Sequence, residues 1–155
     1  MDFLIILTAK YLVFFPIGIL GIYFLLQPTV EKKRIIIIAL PSLIITYLIA
    51  LAAGQVYFDP RPFVVENFTP LIPHLPDNGF PSDHALLVTA LATIGSYLNL
   101  KLGLILWVIA FIVAIARVYA GVHHPIDVIG SGIIAIFATS TVYFFLKYVW
   151  YKKVT

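Results

Sequence analysis

The sequence predicts an all-α fold: an integral membrane helical bundle of about five transmembrane helices, with the N-terminus outside and the C-terminus cytoplasmic. Three observations predict it. Of the 155 residues, 62% are hydrophobic and only 11% charged, with a mean hydropathy of +1.06, far from the makeup of a soluble domain. The apolar residues gather into stretches near the roughly 20 residues that a bilayer core demands. The basic residues fall in alternate connections between those stretches.

The spans, in order, are Phe3 to Leu26, Ile35 to Tyr57, Asp83 to Leu100, Leu102 to Val122 and Ile126 to Trp150. The third and fourth are short once their polar ends are set aside, so those ends belong at the lip of the membrane. The first span opens with Asp2 rather than a basic region and has no small-residue cleavage site, so it is expected to be retained rather than removed as a signal peptide. Pro16 and Pro41 are expected to kink the spans that hold them. Gly130-Ser131-Gly132 is expected to let helices pack closely. Tyr57, Tyr148, Trp150 and Tyr151 read as interfacial anchors.

Lys32, Lys33 and Arg34 lie between spans one and two, Lys101 between three and four, and Lys147, Lys152 and Lys153 near the end of the chain. With five spans these places share one side, which the positive-inside rule makes cytoplasmic. Orientation thus accounts for seven of the ten Lys and Arg, and the +3 charge gives no support to a nucleic-acid partner. Without cysteine, disulfides and thiolate metal sites are excluded.

Arg61 and Arg117 are left on the outer face, where orientation gives no reason for them. They stand beside polar clusters at span ends: Asp59 and Arg61 in YFDPRPF, Ser82, Asp83 and His84 in FPSDH, and Arg117, His123, His124 and Asp127 in ARVYAGVHHPIDVIGS. The 58–82 loop between two of these clusters carries six of the ten prolines, which favours a stiff, folded-over lid. One domain, 1–155, is the natural reading.

Arginine offers a planar fork of donors matched to phosphate oxygens, and two suggest an anion with several oxygens. Ser82 stands at the N-cap position of span three, so the backbone N–H groups of Asp83 and His84 would face the same anion. Four residues separate His123 from Asp127, spacing at which a carboxylate can hold one imidazole nitrogen and leave the other free to attack. His84, on another helix, could protonate a leaving oxygen.

R-P at 61 and 62, P-S-x-H at 81 to 84 and R-x5-H-x3-D from Arg117 to Asp127 resemble the three signature motifs of the type 2 phosphatidic acid phosphatase superfamily of membrane lipid phosphatases. The fuller strings VYFDPRPFVV, LIPH followed by DNGFPSDH, and GVHHPIDVIGS are most similar to its bacitracin-resistance type of undecaprenyl-diphosphatase. The motif-bearing part runs from about 55 to 132. The resemblance implies His123 as a nucleophile that forms a phosphohistidine, Asp127 as its partner and His84 as acid and later base. It implies Arg61, Arg117, Ser82 and Asp83 as the phosphate-binding set. No cofactor is implied and no metal is required, because arginines and a helix N-terminus stabilise the developing charge.

Three positions depart from the superfamily pattern: Gly54 where a lysine is usual, Asp83 where a glycine is, and Ala116 where a serine is. Lys10, a lysine inside the outer half of span one, is a candidate replacement for the missing cation, with snorkelling to the outer surface as the plain alternative. His124 reads as a mouth-lining neighbour and possible auxiliary; His74 and Asp59 stay unassigned, such positions being more often loop surface than chemistry. The expected activity is hydrolysis of undecaprenyl diphosphate at an outward-facing site of a bacterial plasma membrane, with the lipid substrate and membrane lipids as partners. The alternatives are a phosphatase for phosphatidic acid, phosphatidylglycerol phosphate or another lipid phosphate, and a catalytically silent lipid-phosphate binder or transporter.

Overall fold

The structure, a computed structural model, describes residues 2–151, with side chains to residue 149. Lys152 and Lys153 and the side chains of Trp150 and Tyr151 lie outside the described residues. Helices run α1 (Asp2–Tyr11), α2 (Phe14–Leu26), α3 (Thr29–Val56), α4 (Pro62–Val65), α5 (Asp83–Leu98), α6 (Leu100–Tyr119) and α7 (Pro125–Tyr151). Among the described residues no strand forms; an isolated antiparallel bridge joins Pro60 to Asn78.

Three helices, α3, α6 and α7, are long and apolar enough to cross a membrane, and α1 with α2 qualifies as a fourth, bent by 46°. The bend has a local cause. Pro16 cannot donate to the carbonyl four residues back, and its ring crowds that carbonyl; the carbonyl belongs to Leu12, and the helix breaks there. Leu12 O instead accepts the Phe15 N–H at 3.1 Å. Pro41, by contrast, lies within an α3 that continues through it.

The remaining expected span, α5, has 16 residues, about 24 Å at 1.5 Å per residue, short of a core about 30 Å thick. It is the bundle's central helix, contacted by α2, α3, α6 and α7. Its residues from Ala85 to Gly95 are buried except Leu87, which explains a composition rich in Ala, Gly and Thr. A single extended residue, Asn99, turns α5 into α6, and its Oδ1 accepts the Leu102 N–H at 3.1 Å. Gly95 and Gly103 let the two helices touch: a Cβ on Gly103 would run into Ser96, and one on Gly95 would come within 2.7 Å of Leu106.

The Gly130-Ser131-Gly132 triplet gives close packing at its middle residue, where the fully buried Ser131 Oγ donates to Ser82 O at the start of α5 at 3.1 Å, but not between helices at its glycines. Gly130 accommodates the Phe80 ring of the loop, whereas a Cβ on Gly132 would meet nothing within 4 Å. Gly132 lines an apolar groove between α6 and α7 with Phe111, Ile115 and Ile136.

The antiparallel run of helices sorts charge by end. Lys32, Lys33, Arg34 and Lys101 begin α3 and α6, and Lys147 lies near the end of α7, while the 57–82 loop, Arg117, His123 and Asp127 gather at the opposite end.

Candidate active site

The loop after α3 is built around Asn78. Its Oδ1 accepts the N–H groups of Asp59 at 2.9 Å and Phe80 at 3.0 Å, and its Nδ2 donates to the carbonyls of Gly54 at 2.9 Å and Tyr57 at 3.0 Å. The loop is also tied to the α6–α7 connection: the Leu71 N–H donates to Ala120 O at 3.0 Å, and Ile72 packs with Ala9, Ala116, Ala120 and Val122. These ties fold the loop over the end of α6.

Beneath it the three clusters meet. Arg61 is 5% exposed, and its Nε donates to Asp77 Oδ1 at 2.6 Å and its NH1 to Val122 O at 2.8 Å. Arg117, in the last turn of α6, donates through NH1 to Ala9 O at 3.3 Å. Both guanidinium groups also reach one atom, His123 Nε2, at 3.4 Å from Arg61 and 3.2 Å from Arg117. On the other side of that ring, His123 Nδ1 faces Asp127 Oδ2 at 3.3 Å, and the same oxygen accepts the His124 N–H at 2.9 Å. Asp127 is fully buried, and its Oδ1 has no partner among the described residues.

With the ring proton on Nδ1, held by the carboxylate, Nε2 presents its lone pair to the two arginines. Burial lowers the His123 pKa from the ordinary imidazole value; the Asp127 hydrogen bond opposes this, and Arg117 and Arg61 reinforce it. The result is a neutral imidazole nitrogen at the focus of two cations, an arrangement that draws an anion to a nucleophile.

His84 lies half-buried in the first turn of α5, within electrostatic reach of Arg117 and His123. Ser82 is the N-cap residue of α5, yet its hydroxyl makes no capping bond and is buried without a partner, so the first turn of α5 lacks a side-chain cap. The Asp83 side chain is exposed; only its backbone N–H belongs to that helix end.

Lys10 is not joined to the site. It is exposed, with Nζ 5.7 Å from the Tyr11 ring centroid. At Gly54, where the resemblance would place a lysine, a Cβ would lie 3.1 Å from Phe80 O and 3.4 Å from Pro81 Cδ, so the loop takes up that space.

Two residues unassigned from the sequence have partners here. Asp59 Oδ2 meets His124 Nδ1 at 3.1 Å, and burial, then the nearby Asp127 carboxylate, raise the Asp59 pKa. Among the described residues, Asp59, His124 and Asp127 are the set close enough to hold a cation, with ligand atoms within 4.8 Å of one another. His74 lies edge-on to His123, its ring centroid 6.1 Å from that of His123. Neither contact has a periodic signal; only Asp59's place two residues before Arg61 and the LIPH string pointed toward them.

Residues 35–152 match the PAP2 superfamily. The chain belongs to that superfamily. It is 35% identical over 136 residues to the undecaprenyl-diphosphatase BcrC of Bacillus subtilis strain 168, covering 86% of this chain and 68% of that one. It is 29% identical over 136 residues to the bacitracin transport permease protein BcrC of Bacillus licheniformis, covering 87% and 66%. The chain thus spans about two thirds of the length of these PAP2-like relatives. The crystal structure of Aquifex aeolicus LpxE superposes with a TM-score of 0.72 at 24% identity, over 91% of this chain and 84% of that one. That likeness bears on the fold, and the PAP2 membership makes the chain an integral membrane phosphatase.

Proposed function

We propose that the protein hydrolyses undecaprenyl diphosphate to undecaprenyl phosphate and inorganic phosphate, as one membrane-embedded unit with its site on the outer face. The observation that carries the chemistry is His123, gripped at Nδ1 by a buried carboxylate and met at Nε2 by two guanidinium groups. The substrate is proposed from the relative named undecaprenyl-diphosphatase. The outward orientation is supported by the separation of Lys32, Lys33, Arg34, Lys101 and Lys147 from the site end.

In this reading Arg61 and Arg117 transfer their N–H groups from Nε2 to the oxygens of the terminal phosphate, which frees the Nε2 lone pair. Nε2 attacks phosphorus, the bond to the bridging oxygen breaks, and that oxygen takes its electron pair and a proton from His84. Asp127 stabilises the ring while it carries both the Nδ1 proton and the phosphoryl group. His84 then removes a proton from water; the hydroxide attacks phosphorus, the P–N bond breaks and Nε2 recovers its pair. Ser82 and the N–H groups at the start of α5 hold the phosphate oxygens.

A second reading, a lipid-phosphate binder or transporter without turnover, draws on the relative named as a bacitracin transport permease. Phosphate release from undecaprenyl diphosphate by the purified protein, with EDTA present, separates the two. Wild type is expected to release phosphate and His123→Ala to lose on the order of a thousandfold or more. Binding without release would favour the second reading, and full activity in the variant would name the wrong nucleophile.

A further inference from the structure

His74 has no part in the mechanism above, yet the loop holds it in place from both sides. Two residues earlier Ile72 is 2% exposed in the cluster with Ala116 and Val122, and three residues later Asp77 accepts the Arg61 Nε–H at 2.6 Å. Pro73 and Pro76 flank the short run between these anchors and limit its backbone freedom. The imidazole therefore stands at a fixed place over the mouth, edge-on to His123 at 6.1 Å between centroids. It is exposed, and no hydrogen bond engages its ring nitrogens among the described residues.

The donors below it are largely committed. Arg61 spends Nε on Asp77 and shares NH1 between Val122 O and His123 Nε2, while Arg117 spends NH1 on Ala9 O and turns NH2 to His123 Nε2. The Ser82 hydroxyl and Arg117 Nε are buried without a hydrogen-bond partner among the described residues. This set suits one phosphate at Nε2. A diphosphate brings a second, on the leaving-group side; beside His84, which serves the bridging oxygen, His74 is a further side chain there with no hydrogen bond among the described residues.

We infer that His74 is a specificity-determining residue, hydrogen-bonding the lipid-linked phosphate of a diphosphate substrate and so favouring diphosphates over monophosphates with the same tail. The inference rests on the phosphatase reading given above. Partial desolvation by the surrounding site, then Arg61 and Arg117, lower the His74 pKa to about 4, so the ring of the free protein is a neutral N–H donor.

The test is steady-state kinetics of the full chain with farnesyl diphosphate and farnesyl phosphate, which share one tail, in wild type, His74→Ala and His74→Gln. Where monophosphate turnover is slow, its inhibition constant replaces KM. His74→Ala is expected to raise KM for the diphosphate about tenfold, the scale of one lost hydrogen bond to a charged group, with kcat little changed and the monophosphate constant unmoved. His74→Gln, which keeps an N–H donor, is expected to recover most of the loss. A parallel loss on both substrates, an unchanged diphosphate KM, or a fall in kcat alone would overturn the assignment. A wild type that turns over neither substrate nor undecaprenyl diphosphate would instead remove the phosphatase reading, and the inference with it.

Discussion

Gly121 stands two residues before His123 with φ of +75°, and a Cβ there would come within 2.6 Å of the Phe68 ring. Both facts make this glycine a determinant of where His123 sits. Gly121→Ala is expected to cost about 1–2 kcal/mol from the left-handed backbone alone, read as a lower midpoint in a thermal melt. The depressed His123 pKa has its own signature. A nucleophile must be neutral, so the acid limb of kcat/KM is expected below the ordinary imidazole value of about 6.5. Asp127→Asn removes the group that raises the His123 value; its residual activity should fall by roughly a thousandfold or more, and its acid limb should move to still lower pH. The sign for stability follows. The unfolded chain binds the proton more readily, so the fold loses stability as pH falls from the ordinary imidazole range through the depressed value. At this scale His123, Asp127, His84 and both arginines were legible, because residue type and helical spacing restrict which groups can meet. Asp59 and His74 were not, since a proline-rich loop has no period and its contacts depend on the path that Asn78 fixes.

The helices were legible from hydropathy, but their lengths and roles less so. Hydropathy treats α5 as one span among five, whereas its 16 residues form a short central post whose small side chains bring neighbours close. Substituting Gly103 tests that role. A Cβ there would collide with Ser96, so Gly103→Val should destabilise the protein by about 1–3 kcal/mol, measured as loss of folded material in detergent on heating. Gly132→Val, on the open groove, should leave that measurement unchanged. The break at Leu12 shows how far a proline signal reaches: Pro16 could be read as a disruption, but only the geometry of its ring puts the damage one turn upstream. Gly79 couples the loop to α7, since a Cβ on it would lie 2.9 Å from Asp127 Oδ2. Gly79→Ala is expected to lower kcat by displacing the carboxylate, with His123 still present and a melting midpoint close to wild type.

Across the whole molecule, the two ends differ in chemistry: lysines at one, a buried cluster of Arg61, Arg117, His123 and Asp127 at the other. The chain lacks cysteine, so single cysteines report sidedness without background. Asn67→Cys is expected to react with a membrane-impermeant maleimide in intact cells, and Lys33→Cys only after the membrane is opened. The reverse pattern would invert the topology. The general layout was legible in the charge distribution, but the way α1 leans on the site was not. Arg117 donates to the carbonyl of Ala9, 108 residues away in sequence, and α1 lies before the matched superfamily region at 35–152. A version trimmed to that region would keep every motif yet leave Arg117 without one of its moorings. The same contact makes the amino end a poor place for a purification handle: cargo attached there would load the helix whose Ala9 carbonyl holds Arg117, whereas the C-terminal end of α7 lies away from the site that its Pro125 end helps to form.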